Sequence, residues 1–144
     1  MKKQIVLMDR ARIERSIKRM AIQTWERLSK ESENELIVIG INERGEATAQ
    51  LLVEQLQKLM ETKITVHRYD VQGSTSQNNL PDCNDTFVLL VDDVIFSGKT
   101  MFRALSAVCN VYEPTSIEIA ALLDRGHRKY PLRTDLTNVD CQSN

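Results

Sequence analysis

The sequence predicts an α/β fold with a parallel central sheet and helices on both of its faces. Two observations carry this. Short apolar runs with strand character alternate along the chain with segments whose apolar residues recur at helical spacing. The runs 35–41 and 87–91 are also apolar without a polar alternation, as strands covered on both faces must be. The length of 144 residues and a hydrophobic content of 42% are enough for one domain with a substantial core, and the expectation is one domain over residues 1–144.

In chain order, Asp9 is placed to cap a first helix. Ile13, Ile17, Met20, Ala21, Trp25 and Leu28 form its apolar stripe. Glu35 to Ile41 reads as a buried strand. Glu46 to Glu61 reads as a helix, with Ala49, Leu52, Val53, Leu56, Leu59 and Met60 inward. Lys63 to Val71 alternates as a strand does. Gly73 to Asp85 is rich in Ser, Asn and Asp and reads as a loop. Phe87 to Val91 is the strongest strand signal, Lys99 to Val111 is helical, and Ser116 to Leu123 is a further strand. Asp124 to Asn144 has no clear periodicity. Parallel sheets of this kind bind ligands at the carboxyl ends of their strands.

Charge and composition exclude several classes. A net charge of −1 excludes a globally basic nucleic-acid binder, leaving only a local basic patch. No apolar run approaches the roughly 20 residues a membrane span needs. The first residues, Met1 to Met8, lack the apolar stretch and small-residue cleavage site of a signal peptide. Cys83, Cys109 and Cys141 have no paired spacing and are expected as reduced thiols in a cytoplasmic protein. Two histidines, His67 and His127, give no zinc spacing.

The chemistry concentrates in one run, Val88 to Thr100. A hydrophobic strand ends in two carboxylates, Asp92 and Asp93. A short loop with Ser97, Gly98, Lys99 and Thr100 then opens a helix. Such a loop can aim backbone N–H groups and hydroxyls into one concavity at a helix N-terminus, which suits a phosphate monoester. Gly98 permits close approach of the backbone. The aspartates can accept hydrogen bonds from a sugar diol. A P-loop would share Gly98-Lys99-Thr100, but its spacing needs glycine at position 93, where Asp93 stands. The bland alternative is a pair of acids closing a strand and capping the next helix.

The same run resembles the phosphoribosyl pyrophosphate (PRPP) signature of type I phosphoribosyltransferases. Gly40-Ile41-Asn42-Glu43-Arg44-Gly45 is similar to that family's pyrophosphate loop. Asp124-Arg125-Gly126-His127-Arg128, with Pro131-Leu132-Arg133, resembles a segment of the bacterial pyrimidine-operon attenuation regulators, a subfamily with uracil phosphoribosyltransferase activity. The resemblance reaches to about Asp135. It implies that Asp92 and Asp93, the catalytic pair, bind the ribose hydroxyls. Phe96, Ser97, Gly98, Lys99 and Thr100 would hold the 5-phosphate, and Val94 and Ile95 would shape the floor near the base. Glu43, Arg44 and Gly45 would meet the pyrophosphate. Arg125 and His127 would lie in a short C-terminal hood over the base. The implied cofactor is Mg²⁺, brought by PRPP without a direct protein ligand. The implied partners are PRPP, a nucleobase or nucleoside monophosphate, and further copies in a homodimer or larger homo-oligomer, with no membrane. Leader RNA is a further implied partner, through Arg10, Arg12, Arg15, Lys18 and Arg19 on the first helix and Arg125, Arg128, Lys129 and Arg133. The blander account of those residues is a solvated helix face.

The chain departs from the family at definite places. Glu43 stands where relatives carry Thr in Lys-Thr-Arg-Gly, and a carboxylate about 8 Å from a unit negative charge costs about 2 kcal/mol at an effective dielectric of 20. Ile22 stands where RNA-binding relatives carry a polar residue. The connection Gln72 to Thr86, in the place of the family's closing loop, is short and has no basic residue. The chain ends at Asn144, where relatives continue into a further hood segment. Two functions follow as expectations: an enzyme transferring ribose 5-phosphate to a base, uracil by the resemblance, and a PRPP- or nucleotide-sensing regulator, with little catalysis.

Overall fold

The computed structural model describes residues 10–31, 35–73, 80–125 and 134–140, the side chains of 31 and 136–140 apart. The elements are α1 (Arg10–Glu31), β1 (Leu36–Ile41), α2 (Asn42–Met60), β2 (Val66–Tyr69), β3 (Phe87–Ile95), α3 (Lys99–Cys109), β4 (Ser116–Asp124) and β5 (Leu136–Asp140). The strands form one sheet in the order β2-β1-β3-β4-β5, and every neighbouring pair is parallel.

Successive strand residues point to opposite faces, and both faces are apolar. Val38, Leu89, Val91 and Ala120 face α1 and α2, meeting Ile17, Met20, Ala21, Leu52, Val53 and Leu56. Ile37, Ile39, Ile41, Val88, Leu90, Ile119 and Ala121 face the other way, toward Met101, Ala104 and Val108 of α3 and Cys83. The expected α/β class with helices on both faces is what the chain adopts.

Several element bounds differ from the sequence reading, each for a physical reason. Lys63 to Val71 reads as one strand, but only Val66–Tyr69 pairs with β1. Outside that stretch, side chains take the backbone donors: Ile64 N–H donates to Gln57 Oε1 at 2.7 Å, and Val71 N–H to Asn42 Oδ1 at 3.0 Å. β3 does not end at Val91. It continues through the acid pair to Ile95, because β4 supplies partners as far as Asp124. α2 begins at Asn42 rather than Glu46. α3 ends at Cys109 rather than Val111, in a turn where the Val111 and Tyr112 N–H groups both reach Val108 O.

The strand β5 went unread because Leu136 and Val139 are three apart and give no two-residue alternation. The Asp135 N–H bonded to Ile119 O at 2.9 Å, and the Asp135 carboxylate accepting the Ile119 N–H at 3.0 Å, set its register. Trp25, expected in the α1 stripe, is 41% exposed, while Thr24 is buried and donates its hydroxyl to Met20 O. Asp9, residues 74–79 of the polar connection, the hood segment 126–133 and Cys141 lie outside the described residues. Cys83 and Cys109 are free thiols, and burial with Asp82 and Glu35 nearby pushes Cys83 up to about 11. Among the described residues no helix is long and apolar enough to cross a membrane.

Candidate functional site

The chain leaves β1 toward β2 on one side of the sheet and leaves β3 toward β4 on the other. The sheet order therefore reverses between β1 and β3, and a crevice opens there beyond the carboxyl ends of the strands. Two segments meet at that point: the start of α2 after β1, and the acid pair with its loop and α3 after β3.

The approach of α2 to β3 depends on two glycines. A Cβ on Gly40 would stand 2.4 Å from Glu46 Cα, and one on Gly45 would stand 2.6 Å from Val91 O and 3.4 Å from Asp92 Cα. Neither position tolerates a side chain without moving backbone. Their absence seats the first turn of α2 directly against the strand carrying the acids. Asn42 makes the turn into that helix in the left-handed region, with φ 59°, a conformation Asn adopts more readily than most residues. The residue in the N-cap position is Ile41, which has no side chain able to cap.

Beyond β3, Gly98 occupies the N-cap position of α3 with φ 92°, again in the left-handed region and again without a side-chain cap. The first bond of the α3 ladder runs from Phe102 N–H to Gly98 O at 2.8 Å. The donors of Lys99, Thr100 and Met101 thus lie outside the ladder. Lys99 N–H reaches Ser97 Oγ at a long 3.3 Å. These residues curl around a cavity of about 70 Å³ lined by Asp92 and residues 94–101, several times what one water needs. A larger cavity of about 510 Å³ lies at the opposite, amino-terminal end of β1 and β2, away from the acids and both helix starts.

Asp92 is buried, with 9% of its surface exposed. Desolvation pushes its carboxyl up to about 8, helped by the neighbouring Asp93 and opposed by Arg44 and the Asp93 N–H that bonds its Oδ1 at 2.8 Å. Asp93 turns its own Oδ1 to the Val94 N–H at 2.8 Å. Its Oδ2 is 3.6 Å from Arg44 Nη1, so the first turn of α2 already touches the acid pair electrostatically. Arg44 is otherwise exposed, as is Glu43, so the Glu43 charge is screened by solvent.

Phe96, which lines the cavity, is 59% exposed, and the Arg125 guanidinium lies 5.7 Å from its ring centroid. Arg125 N–H bonds Ile95 O at 2.8 Å, which brings the start of the hood segment to the loop. The structure thus brings together Glu43, Arg44, Gly45, Asp92 to Thr100 and Arg125. His67 sits on β2 outside this group, half-buried and lowered by desolvation. His127 lies outside the described residues.

Sequence reasoning passed over Asn42 as a site residue and over Asp124, which is buried and accepts the Thr134 hydroxyl at the end of β4. The signal for Asn42 was available: an Asn at the strand-to-helix junction is a candidate for a left-handed turn.

Comparison with known proteins identifies the family and the fold. A family model for the phosphoribosyl transferase domain matches residues 7–144. The chain is 35% identical to "Bifunctional protein PyrR" of Oceanobacillus iheyensis, over 94% of this chain and 82% of that relative. It is 37% identical to the protein of the same name from Brevibacillus brevis, over 90% of this chain and 79% of that one. Among solved structures, a hypoxanthine phosphoribosyltransferase of Trypanosoma cruzi superposes with a TM-score of 0.80 at 17% identity, covering 95% of this chain and 76% of that one. A hypoxanthine-guanine phosphoribosyltransferase of Bacillus anthracis gives 0.77 at 16% identity, covering 97% and 85%. At such identities the superpositions speak for the fold alone, and the sequence matches carry the family. The chain belongs to the type I phosphoribosyltransferase family.

Proposed function

We propose that this protein transfers the ribose 5-phosphate of PRPP to uracil, releasing pyrophosphate. The bond from ribose C1 to pyrophosphate oxygen breaks, a bond from C1 to the uracil nitrogen forms, and that nitrogen loses its proton. The observation that carries the reading is a pair of helix N-termini without side-chain caps, at Ile41 and Gly98, with the acid pair between them. PRPP has the matching layout: two phosphate groups with a sugar diol between. The relatives named PyrR and the resemblance to pyrimidine-operon regulators support uracil as the base.

In this reading the 97–100 loop and the first turn of α3 hold the 5-phosphate. Asp92, whose carboxyl burial pushes upward, meets one ribose hydroxyl. Asp93 accepts from the other hydroxyl. The first-turn N–H groups of α2 and the Arg44 guanidinium take the pyrophosphate, with Arg44 leaving Asp93 to do so. Val94 and Ile95 form the floor under the base, and Arg125 is held above it by Phe96. The acid pair serves the ribose hydroxyls, and Mg²⁺ would be carried by the oxygens of PRPP, hard donors of the kind it prefers, without a direct protein ligand. Bound with the pyrophosphate, Mg²⁺ would neutralise its charge and ease its departure. The protein is proposed to work in the cytoplasm as a homodimer or larger homo-oligomer.

The test is a panel of free bases with PRPP and Mg²⁺, reading nucleoside monophosphate and pyrophosphate. Uridine monophosphate with equimolar pyrophosphate is expected; PRPP binding without turnover on any base would end the enzyme reading. One observation favours a second role. Arg10, Arg12, Arg15, Lys18 and Arg19 are all exposed on α1 and make a local basic surface. A nucleotide-sensing regulator would bind leader RNA there with an affinity that falls steeply with salt. No salt-dependent RNA binding would remove that role.

A further inference from the structure

We infer that Asn42 is a positioning residue for the pyrophosphate end of the site, acting through the backbone of Val71. This rests on the transferase reading above. Asn42 combines two features. Its backbone is in the left-handed region, with φ 59°, at the junction of β1 and α2. Its side-chain oxygen accepts the Val71 N–H at 3.0 Å.

An Asn in the N-cap position turns its oxygen back onto the helix's own first-turn donors; Asn42 stands one residue past that position, which Ile41 holds. Here that oxygen is used on the segment leaving β2. The first-turn donors of α2 therefore stay available to an anion, and the turn that presents them is fixed from outside the helix. Val71 is itself anchored. The adjacent Asp70 accepts from Arg68 Nε at 2.9 Å, and Arg68 Nη1 reaches Glu46 Oε1 at 3.3 Å, back on α2. Gly73 N–H closes the turn onto Asp70 O at 2.9 Å. The result is a closed circuit from Asn42 through Val71, Asp70 and Arg68 to Glu46, one turn further along the same helix. It braces the turn that carries Glu43, Arg44 and Gly45. The Arg68 links are exposed and weak singly. The Asn42–Val71 bond is the half-buried member and the one that fixes the angle of the turn.

The inference separates Asn42 from a general structural role, because it concerns one end of the ligand. Asn42→Gly keeps the left-handed backbone and removes the acceptor. Val71→Pro removes the donor and leaves Asn42 in place. Each is compared with the intact chain by calorimetry against Mg²⁺-PRPP and against uridine 5′-monophosphate, which has the 5-phosphate and ribose but no pyrophosphate. Asn42→Gly is expected to weaken PRPP about fivefold, the effect of one hydrogen bond, with the monophosphate changed less than twofold. The double variant is expected to be no weaker than either single one, since both remove the same bond. Equal loss for both ligands, or unchanged PRPP affinity with the monophosphate also unchanged, overturns the role of Asn42. If the intact chain binds the monophosphate but not PRPP, the transferase reading itself fails, which is a different outcome.

Discussion

Gly45→Ala tests the way α2 is seated on β3. The new methyl would lie 2.6 Å from Val91 O, against the 3.4 Å at which ordinary contact begins, so the first turn of α2 must retreat by about 0.8 Å. Backbone stands on both sides of the clash, and no flexible side chain can yield. Overpacking of this kind costs about 1–3 kcal/mol. The better helix propensity of Ala returns about 1 kcal/mol, so the net loss of stability is about 0–2 kcal/mol. The effect on function should be larger. A misplacement near 1 Å at a positioned group costs about a hundredfold in rate. Urea denaturation alongside steady-state assays with PRPP and uracil would separate the two effects. The variant should fold, lose at most about 2 kcal/mol, and lose ten- to a hundredfold in kcat/KM for PRPP. Full activity in the variant would show that the α2–β3 approach does not set the site, and the reasoning would be wrong.

Other expectations follow from the same structure. Asp92 has a carboxyl raised from an ordinary 3.8 to about 8 in the folded chain, so the folded state binds the proton more tightly than the unfolded one. That contribution to stability is complete below about pH 4 and is lost as pH rises toward 8. Asp92→Asn should therefore raise the melting temperature more at pH 8 than at pH 5, and an equal change at both pH values would contradict the burial argument. Leu90→Ala empties a fully buried position between β3 and α3 and should cost about 2–5 kcal/mol by chemical denaturation. A loss below 1 kcal/mol there would mean that face is loosely packed.

Much of this was legible in the sequence where a single physical signal dominates. Phe87 to Val91 must be covered on both faces, and that alone calls for a sheet between layers of helices. Asp92, Asp93 and Gly98 could be assigned together because a strand, two acids and a glycine at a helix start form one local unit. What the sequence hid depends on partners distant along the chain. The extension of β3 through the acids to Ile95 needs β4 beside it, and β5 has too few apolar residues to announce itself. The side-chain bonds that cut β2 short come from Gln57 and Asn42, residues with no periodic signature. The contact of Arg44 with Asp93 joins positions 49 residues apart and exists only because Gly45 lets the two elements close.

The central claim is that the acid pair on β3 receives the ribose of PRPP. Calorimetry of Mg²⁺-PRPP with the intact chain and with Asp93→Asn, at matched pH and salt, tests it most directly. The account predicts one PRPP per chain and at least tenfold weaker binding in the variant, because the amide gives up a charge-assisted acceptor. Equal affinity in the two proteins would contradict it.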